Sequence, residues 1–451
     1  MERRTFLAAS AAGVHDVGRS GAAGDGRRND RAAIQRAIDE CAKSGGGTVR
    51  FPPGRFLSGN LRLKSGVALW LDHGATLIAS GNPKDYEIRR PVDRTPRDNW
   101  GSAFLLAEKA ERVAILGSGV ICGGGLAKPR EKGKPLEPFR PRLVSFEGCR
   151  DVLVNGVTLR DSDRWTLHFY QCDHVRASEL RILAAYGIVN TDGIDVDGCR
   201  NVVISGCEIV AGDDCIVLKT TNYLGDPRPM ENVTVTNCVL STRANGFKIG
   251  TETHAGISSI AFSNSAVYGE GEVRPNSAVS LEAVDGALLD GVSVSNITAR
   301  RVKAPVFLRL GDRSRPAPGA PCGGLQNVVI QNIVAVDASM TSSVMGIPGH
   351  AVENVTLSGL RFVMEGGGGP ELANRRPPER EASYPDATMF GQLPALGLYA
   401  RHVRGLVIRE LDVSAARPDA RPVLAVDDVT NLDAEGVRRD GAPDPVAAPR
   451  R

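Results

Sequence analysis

The sequence predicts an all-β protein, a right-handed parallel β-helix with an N-terminal capping helix. Two observations lead to this fold class. A strand-like motif recurs nine times between residues 148 and 413, and each copy alternates apolar with polar residues, which is the pattern of half-buried strands. The smallest step between copies is 23 residues, enough for one coil, and a single coil can bury its apolar face only against neighbouring coils.

The repeats also predict which residues stack. The first core positions of the nine copies are Val152, Val175, Val202, Val233, Ile260, Val292, Val328, Val355 and Leu406. Turn asparagines in equivalent positions are expected to pair through their side-chain amides: Asn155, Asn237, Asn264, Asn296 and Asn332. The Gly- and Pro-rich stretch 364–398 interrupts the repeats, and strand pattern resumes at 403. We interpret it as a long excursion from one coil.

An amphipathic helix is expected before the first coil, as a cap over the open end of the core. Ile34, Ala37, Ile38 and Cys41 fall on one helical face, with Asn29 or Asp30 as the capping residue and the glycines at 45–47 as the stop. Residues 18–435 are therefore predicted to form one β-helix domain, followed by a flexible tail at 436–451.

Composition limits the classes of function. Lys plus Arg number 55 and Asp plus Glu 52, a net charge of +3, which argues against a nucleic-acid partner. No apolar run has the roughly 18 residues of a membrane span. The nine cysteines form no CxxC pair and are expected to be buried.

Arg3-Arg4 followed by small apolar residues predicts that residues 1–17 are the remnant of a twin-arginine export signal. We expect an exported monomer.

Acidic residues concentrate in the motifs NTDGID (190–195) and GDDCIVLK (212–219). Asp192 and Asp214 are 22 residues apart, one uninterrupted coil, so they are expected to stack on adjacent rungs with Asp213 beside them. Crowded carboxylates repel one another and split their pKa values, which suits acid–base catalysis. Inverting glycosidases place two carboxyl groups about 6.5–9.5 Å apart, and we expect side-chain splay across neighbouring rungs to supply that separation. A metal site and aspartates that simply occupy turns are the alternative interpretations of such a cluster.

These motifs, with the run GAAGDGRRNDRAAIQRAIDECAKSGGGTV before them, resemble glycoside hydrolase family 28, the polygalacturonase-like enzymes of the pectin-lyase-like fold. The resemblance extends over roughly residues 18–415 and includes DSDRWTLHFY at 161–170. It implies hydrolysis with inversion, without metal or cofactor. It also implies that Asp213 is the general acid and that Asp192 and Asp214 hold and activate the water.

Two motifs depart from the family pattern. Asn245 stands where the family has the histidine of Gly-His-Gly, and an amide cannot carry a proton. Ser280 and Glu282 stand where Arg-Ile-Lys supplies cations for the substrate carboxylate. Either Lys248, Arg309 or Arg313 supplies the missing charge, or the sugar at this position is neutral. Because Glu282 would repel a uronate, we predict weak or no activity on plain polygalacturonan.

Several further residues are substrate-binding candidates. Lys248 is expected to face outward one rung from Glu282, and Arg309 lies in the Glu282 column, where it is also able to pair with Glu282. The other candidates are Asn190, Asn245, Glu282, His168 and Lys219, the last as a cation at the rim of the cleft.

The function expected from these residues is hydrolysis of pectin-type polysaccharides or oligosaccharides. A polysaccharide lyase on the same scaffold is the enzymatic alternative. A carbohydrate-binding β-helix without catalysis is the other alternative, because the two altered motifs leave the chemistry open.

Overall fold

Parallel strands dominate the computed structural model, and the predicted parallel β-helix is confirmed. The structure describes residues 13–87, 102–129, 131, 137, 139–222, 224–313 and 321–447. The chain divides into two units, one formed by residues up to 191 with 200–207, the other by 192–199 with residues from 208 onwards.

The first unit contains an α-helix at Arg31–Lys43 and a short 3-10 helix at Pro83–Asp85. Its strands are Val14–Asp16, Asp25–Asn29, Gly47–Phe51, Gly54–Ser58, Leu61–Leu63, Val67–Leu71, Ala75–Ala79, Ala103–Glu108, Glu111–Gly117, Val120–Cys122, Arg142–Glu147, Arg150–Asn155, Thr158–Arg160, Leu167–Tyr170, Asp173–Ser178, Arg181–Leu183 and Arg200–Ser205. Strand Val14–Asp16 pairs in parallel with Thr48–Arg50. Residues 14–16, predicted to belong to the signal remnant, are therefore part of the fold, whereas residues 1–12 lie outside the described part.

The helix has the predicted buried face, which includes Ile34, Ala37, Ile38 and Cys41. Its capping differs in detail from the prediction. Asn29 accepts a hydrogen bond from the N–H of Arg31 at 3.1 Å. Asp30 instead uses its carboxylate to accept the N–H groups of the preceding turn at residues 23 and 24.

The second unit has the longer coils and a one-turn helix at Pro370–Ala373. Its strands are Ile194–Asp197, Glu208–Ala211, Ile216–Thr220, Met230–Thr236, Val239–Thr242, Asn245–Thr253, Ile257–Tyr268, Ser277–Ala283, Leu288–Arg300, Ala304–Leu310, Gly324–Ala338, Ser342–Met345, Val352–Gly366, Leu398–Arg417, Leu424–Arg439 and Ala442–Pro443. Within the described residues the strands of successive coils pair in parallel, and the final two strands form a short antiparallel pair.

The predicted stacking of the repeats is confirmed inside each unit. In the first unit Val152 pairs with Val175, which pairs with Val202. In the second unit an unbroken column of buried residues occupies the predicted positions: Val233, Ile260, Val292, Val328, Val355 and Leu406. These side chains are at most 2% exposed, so the alternating pattern does mark the core.

The C-terminal boundary lies beyond the predicted one. Leu406 pairs with Leu432, which adds a coil that the repeats did not reveal. Strand Leu424–Arg439 runs past the predicted domain end at 435. The carboxylate of Asp444 accepts the N–H of Val423 at 2.8 Å. Part of the expected flexible tail is therefore held by backbone and side-chain hydrogen bonds.

The asparagine ladder forms over three rungs. Asn332 donates to Asn296 at 3.1 Å, and Asn296 donates to Asn264 at 2.9 Å. All three have positive φ, the left-handed conformation that Asn tolerates at turns. Asn155, predicted to join such a ladder, donates instead to Ser178, because serine occupies the equivalent turn.

The stretch that interrupts the repeats is confirmed as an excursion, residues 367–397, between two long strands. Phe390 and Leu393 from this excursion pack into a buried apolar cluster with Phe307 and Tyr399, so the excursion rests on the coils. In the described ranges, no helix has both the length and the apolar character needed to cross a membrane.

Candidate active site

The three acidic residues meet because two neighbouring strands are in register. Ile194 pairs with Ile216. Asp192 and Asp214 each stand two residues before these positions, so they are stacked as well. The N–H of Gly193 donates to the carbonyl of Asp214 at 2.9 Å. One carboxylate oxygen from each of Asp192, Asp213 and Asp214 lies within 4.8 Å of the others. The predicted convergence of the acids is therefore present.

The nearest oxygens are closer than the expected separation of carboxyl groups. One oxygen of each acid lies within 4.8 Å of the others. The separation of about 6.5–9.5 Å that inverting enzymes use is not what these oxygens show. The geometry thus supports carboxylate catalysis without itself selecting inversion.

Asp214 is held by donors on both oxygens. Its Oδ1 accepts the backbone N–H of Asn245 at 3.0 Å and the Asn245 side-chain amide at 2.7 Å. Ser277 in turn donates to Asn245 Oδ1 at 2.7 Å. The predicted column of Asp214, Asn245 and Ser277 is thus hydrogen-bonded. Lys248 Nζ lies 3.2 Å from Asp214 Oδ2, so both carboxylate oxygens have a fixed partner.

Asp192 has a different environment. It is 3% exposed, and its Oδ1 has no hydrogen-bond partner among the described residues. Burial, and next the negative charge of Asp195, raise the pKa of Asp192 well above its usual value, against the opposing charge of Lys219. Asp213, half-buried, accepts the N–H of Asp214 at 3.1 Å. The cluster therefore tends to keep a proton on one acid.

Lys219 is not the rim cation that the sequence suggested. Its side chain is 7% exposed, and its Nζ lies 3.0 Å from Asp195 Oδ1 and 3.5 Å from Asp192 Oδ2. Burial alone would lower its pKa, but the charges of Asp195 and Asp192 outweigh burial and raise it. Lys219 therefore offsets the charge of the acids from inside the protein.

Lys248 and Glu282 form a buried pair. Lys248 is 3% exposed, not outward-facing, and its Nζ lies 3.6 Å from Glu282 Oε2. Glu282 also accepts hydrogen bonds from Ser280 at 2.7 Å and Thr251 at 3.3 Å. Burial raises the pKa of Glu282 to about 7, although Lys248 and the Ser280 hydroxyl act against it. The glutamate is thus balanced locally by Lys248, which also reaches Asp214.

Arg309 occupies the predicted column, since Glu282 pairs in register with it. Its guanidinium, however, donates to the carbonyls of Gly346 at 2.9 Å and Glu379 at 2.6 Å. No ion pair joins it to Glu282 within the part of the chain described. Its burial lowers its pKa to about 10. Arg309 fastens the excursion, because Glu379 belongs to that segment.

Arg313, the third candidate for the missing cation, is also paired. Its Nε donates to Asp285 at 2.8 Å, and a second contact joins the same two groups. It donates further to the carbonyl of Thr251 at 3.3 Å.

Tyr384 is the site residue that sequence reasoning missed. It lies in the excursion, its hydroxyl is 3.4 Å from Lys248 Nζ, and the residue is 59% exposed. Only its aromatic character in a stretch otherwise rich in Gly, Pro and charge could have drawn attention to it.

His168 and Asn190 belong to the first unit. His168 is fully buried, with Nδ1 3.2 Å from the Ser145 hydroxyl and its ring 5.0 Å from that of Trp165. Asn190 accepts a hydrogen bond from Arg140 at 3.0 Å. Their roles in substrate binding stay predictions.

The three aspartates are also the grouping with metal-binding spacing among the described His, Cys, Asp and Glu residues. Two lysine ammonium groups already lie 3.2 and 3.5 Å from Asp214 and Asp192. They supply the positive charge that a cation would bring, and this favours acid–base chemistry for the cluster.

Known proteins are similar to this chain in sequence. Residues 41–371 match the model of the family described as "Glycosyl hydrolases family 28". A "Probable polygalacturonase" of Vitis vinifera is 27% identical over 363 residues, covering 75% of this chain and 72% of the relative. An "Endo-polygalacturonase" of Pectobacterium carotovorum is 28% identical over 293 residues, covering 61% and 70%.

Two solved structures share the fold. The exopolygalacturonase of Thermotoga maritima has a TM-score of 0.67 at 22% identity, covering 78% of this chain and 87% of that one. The family 28 exopolygalacturonase of Yersinia enterocolitica has a TM-score of 0.71 at 19% identity, covering 93% and 78%.

Proposed function

We propose that this chain, which belongs to glycosyl hydrolases family 28, hydrolyses glycosidic bonds in pectin-type polysaccharides or their oligosaccharides. The polygalacturonase names of its relatives support this substrate class. The observation that carries the chemistry is the convergence of Asp192, Asp213 and Asp214, with one oxygen from each within 4.8 Å of the others.

The environments of the acids support distinct roles. Asp213 is the general acid: it is half-buried, so it can exchange protons with solvent and reach a bound sugar. Asp214 is the base, because Asn245 and Lys248 hold its two carboxylate oxygens in place. Asp192, with an oxygen that has no partner in the described part of the chain, offers an acceptor for the water.

The reaction is a single displacement. Asp213 gives its proton to the glycosidic oxygen as the bond between that oxygen and the anomeric carbon breaks. The water held by Asp192 and Asp214 attacks the anomeric carbon from the opposite face and loses its proton to a carboxylate. The configuration inverts, as in other enzymes that activate water between two carboxyl groups. Because the acids lie close together, a retaining reaction is the alternative that the experiment must exclude.

Proton NMR of the first products tests both points. With a pectin fragment as substrate, the new reducing end should first appear as the anomer opposite to the bond cleaved. Asp213→Asn should lower kcat by at least about a thousand-fold, within the range of losses seen when a catalytic acid is removed. Asp72→Asn, which removes an acid paired with Arg50 on the surface, is the matched control and should keep kcat. A retained anomer would refute inversion, and unchanged turnover in Asp213→Asn would refute the catalytic assignment.

Export and a monomeric state remain part of the proposal. Arg3 and Arg4, which carry the export signal, lie outside the described residues. Replacing both with lysine should retain the protein in the cytoplasm of a bacterial host, since twin-arginine signals are read by a receptor. Cell fractionation would measure this, and unchanged export would remove the signal assignment.

A further inference from the structure

Tyr384 is an exposed aromatic residue held in a fixed place. The carbonyl of Glu381, three residues before it, accepts the N–H of Asp312 at 3.0 Å. The carboxylate of Asp386, two residues after it, accepts the side-chain amide of Asn276 at 2.6 Å. The excursion is thus fastened to the coils on both sides of a side chain that is 59% exposed.

The ring lies beside the acid cluster. Its centroid is 5.5 Å from Lys248 Nζ and 5.9 Å from the guanidinium carbon of Arg313. Lys248 in turn lies 3.2 Å from Asp214. A sugar packed on the exposed part of Tyr384 would therefore sit next to the residue that activates the water, at a subsite bordering the bond to be cleaved.

The charges around the ring leave nothing positive in excess for a free uronate. Lys248 contacts both Asp214 and Glu282, and Arg313 is paired with Asp285. Two cations thus face three carboxyl groups near Tyr384, in the part of the chain that the structure describes, and burial raises the pKa of one of them, Glu282, to about 7. An added carboxylate would therefore meet no excess of positive charge, and it would meet net negative charge once Glu282 is ionised.

We propose that Tyr384 is the platform of a subsite that accepts a sugar ring without a free carboxylate, such as an esterified uronate or a neutral sugar. The inference rests on the proposed function and specifies which substrate it takes. Aromatic rings present a flat apolar face and a polar edge. The apolar face of a pyranose can lie on the ring, while the tyrosine hydroxyl contacts Lys248 Nζ at 3.4 Å.

Binding measured by calorimetry in the inactive Asp213→Asn background tests the subsite without requiring turnover. The probes are a galacturonate trisaccharide with its carboxyl groups methyl-esterified and the same trisaccharide with free carboxylates. The esterified probe should bind about ten-fold more tightly, on the order expected for repulsion of one partly screened charge. Tyr384→Ala should weaken binding of the esterified probe on the order of ten-fold, and Tyr384→Phe by no more than about two-fold.

A matched control is Trp70→Ala, which removes another exposed aromatic, 44% exposed, from a strand of the first unit. It should bind the esterified probe like the background protein. Tighter binding of the free-acid probe, an unaltered dissociation constant in Tyr384→Ala, or no binding of the esterified probe would each overturn the subsite. Hydrolysis that depends on Asp213 would still stand in those cases, so failure of the subsite and failure of the proposed function are distinguishable.

Discussion

The buried Glu282 makes a quantitative prediction about stability and pH. Its pKa is raised from 4.5 to about 7 in the folded protein, chiefly by burial. Between those two pH values the folded state binds more protons than the unfolded chain, so stability falls as pH rises through this window. Each unit of pKa difference corresponds to about 1.4 kcal/mol, so the loss is about 3 kcal/mol.

Glu282→Gln removes this titration and should flatten the pH dependence. The free energy of unfolding, measured by urea denaturation at pH 4.5 and pH 8, should fall by about 3 kcal/mol more in the wild type than in the variant. The pKa of Asp192 is also raised, but Asp192 is present in both proteins. Its contribution to the pH dependence therefore cancels when the wild type and the variant are compared. The difference between the two pH values is the relevant quantity, because the substitution also changes the contacts with Lys248 and Ser280 at every pH.

A surface glutamate provides the control for this measurement. Glu353 forms an exposed ion pair with Arg404, and such pairs contribute little to stability. Glu353→Gln should therefore keep the wild-type pH dependence. Equal losses between pH 4.5 and pH 8 in the wild type and Glu282→Gln would refute the reasoning that burial sets the protonation of Glu282.

Three further predictions concern other contacts. Asn245→Ala removes the amide that donates to Asp214 at 2.7 Å and should lower kcat about 10- to 100-fold, as expected for a charge-assisted hydrogen bond; an unchanged kcat would show that this amide does not orient the base. Asp192→Asn removes a buried carboxyl with a raised pKa, so it should raise the melting temperature at pH 7.5 while abolishing turnover, and a lower melting temperature would contradict this. Asn296→Ala breaks the ladder to Asn264 and Asn332. It should lower the free energy of unfolding, measured by urea denaturation, by about 1–2 kcal/mol and leave kcat unchanged.

The backbone arrangement was predictable because it depends on a regular pattern. Alternating apolar residues at coil-length steps fix which strands stack, and a register of whole coils carries Asp192 onto Asp214 and Asp214 onto Asn245. The turn at residues 23–24 that occupies Asp30 and the final coil through Leu432 were not apparent, since neither repeats the motif.

Side-chain partners were less predictable, because they depend on direction and on distant segments. Lys248 was expected to face outward, but Asp214 and Glu282 draw its ammonium into a buried pair. Arg309 shares a column with Glu282, yet it binds Glu379, 70 residues further along the chain. The position of Tyr384 over Lys248 follows from the path of the excursion, which no local pattern encodes.

The most direct test of the central claim is turnover of a pectin fragment by Asp192→Asn, Asp213→Asn, Asp214→Asn and the triple variant. Residues that act as one unit lose about as much activity singly as together. We therefore predict that each single variant falls at least about a thousand-fold in kcat and that the triple variant is little worse. Retention of more than about a tenth of wild-type kcat by any single variant would contradict the proposal that these three carboxylates perform the hydrolysis.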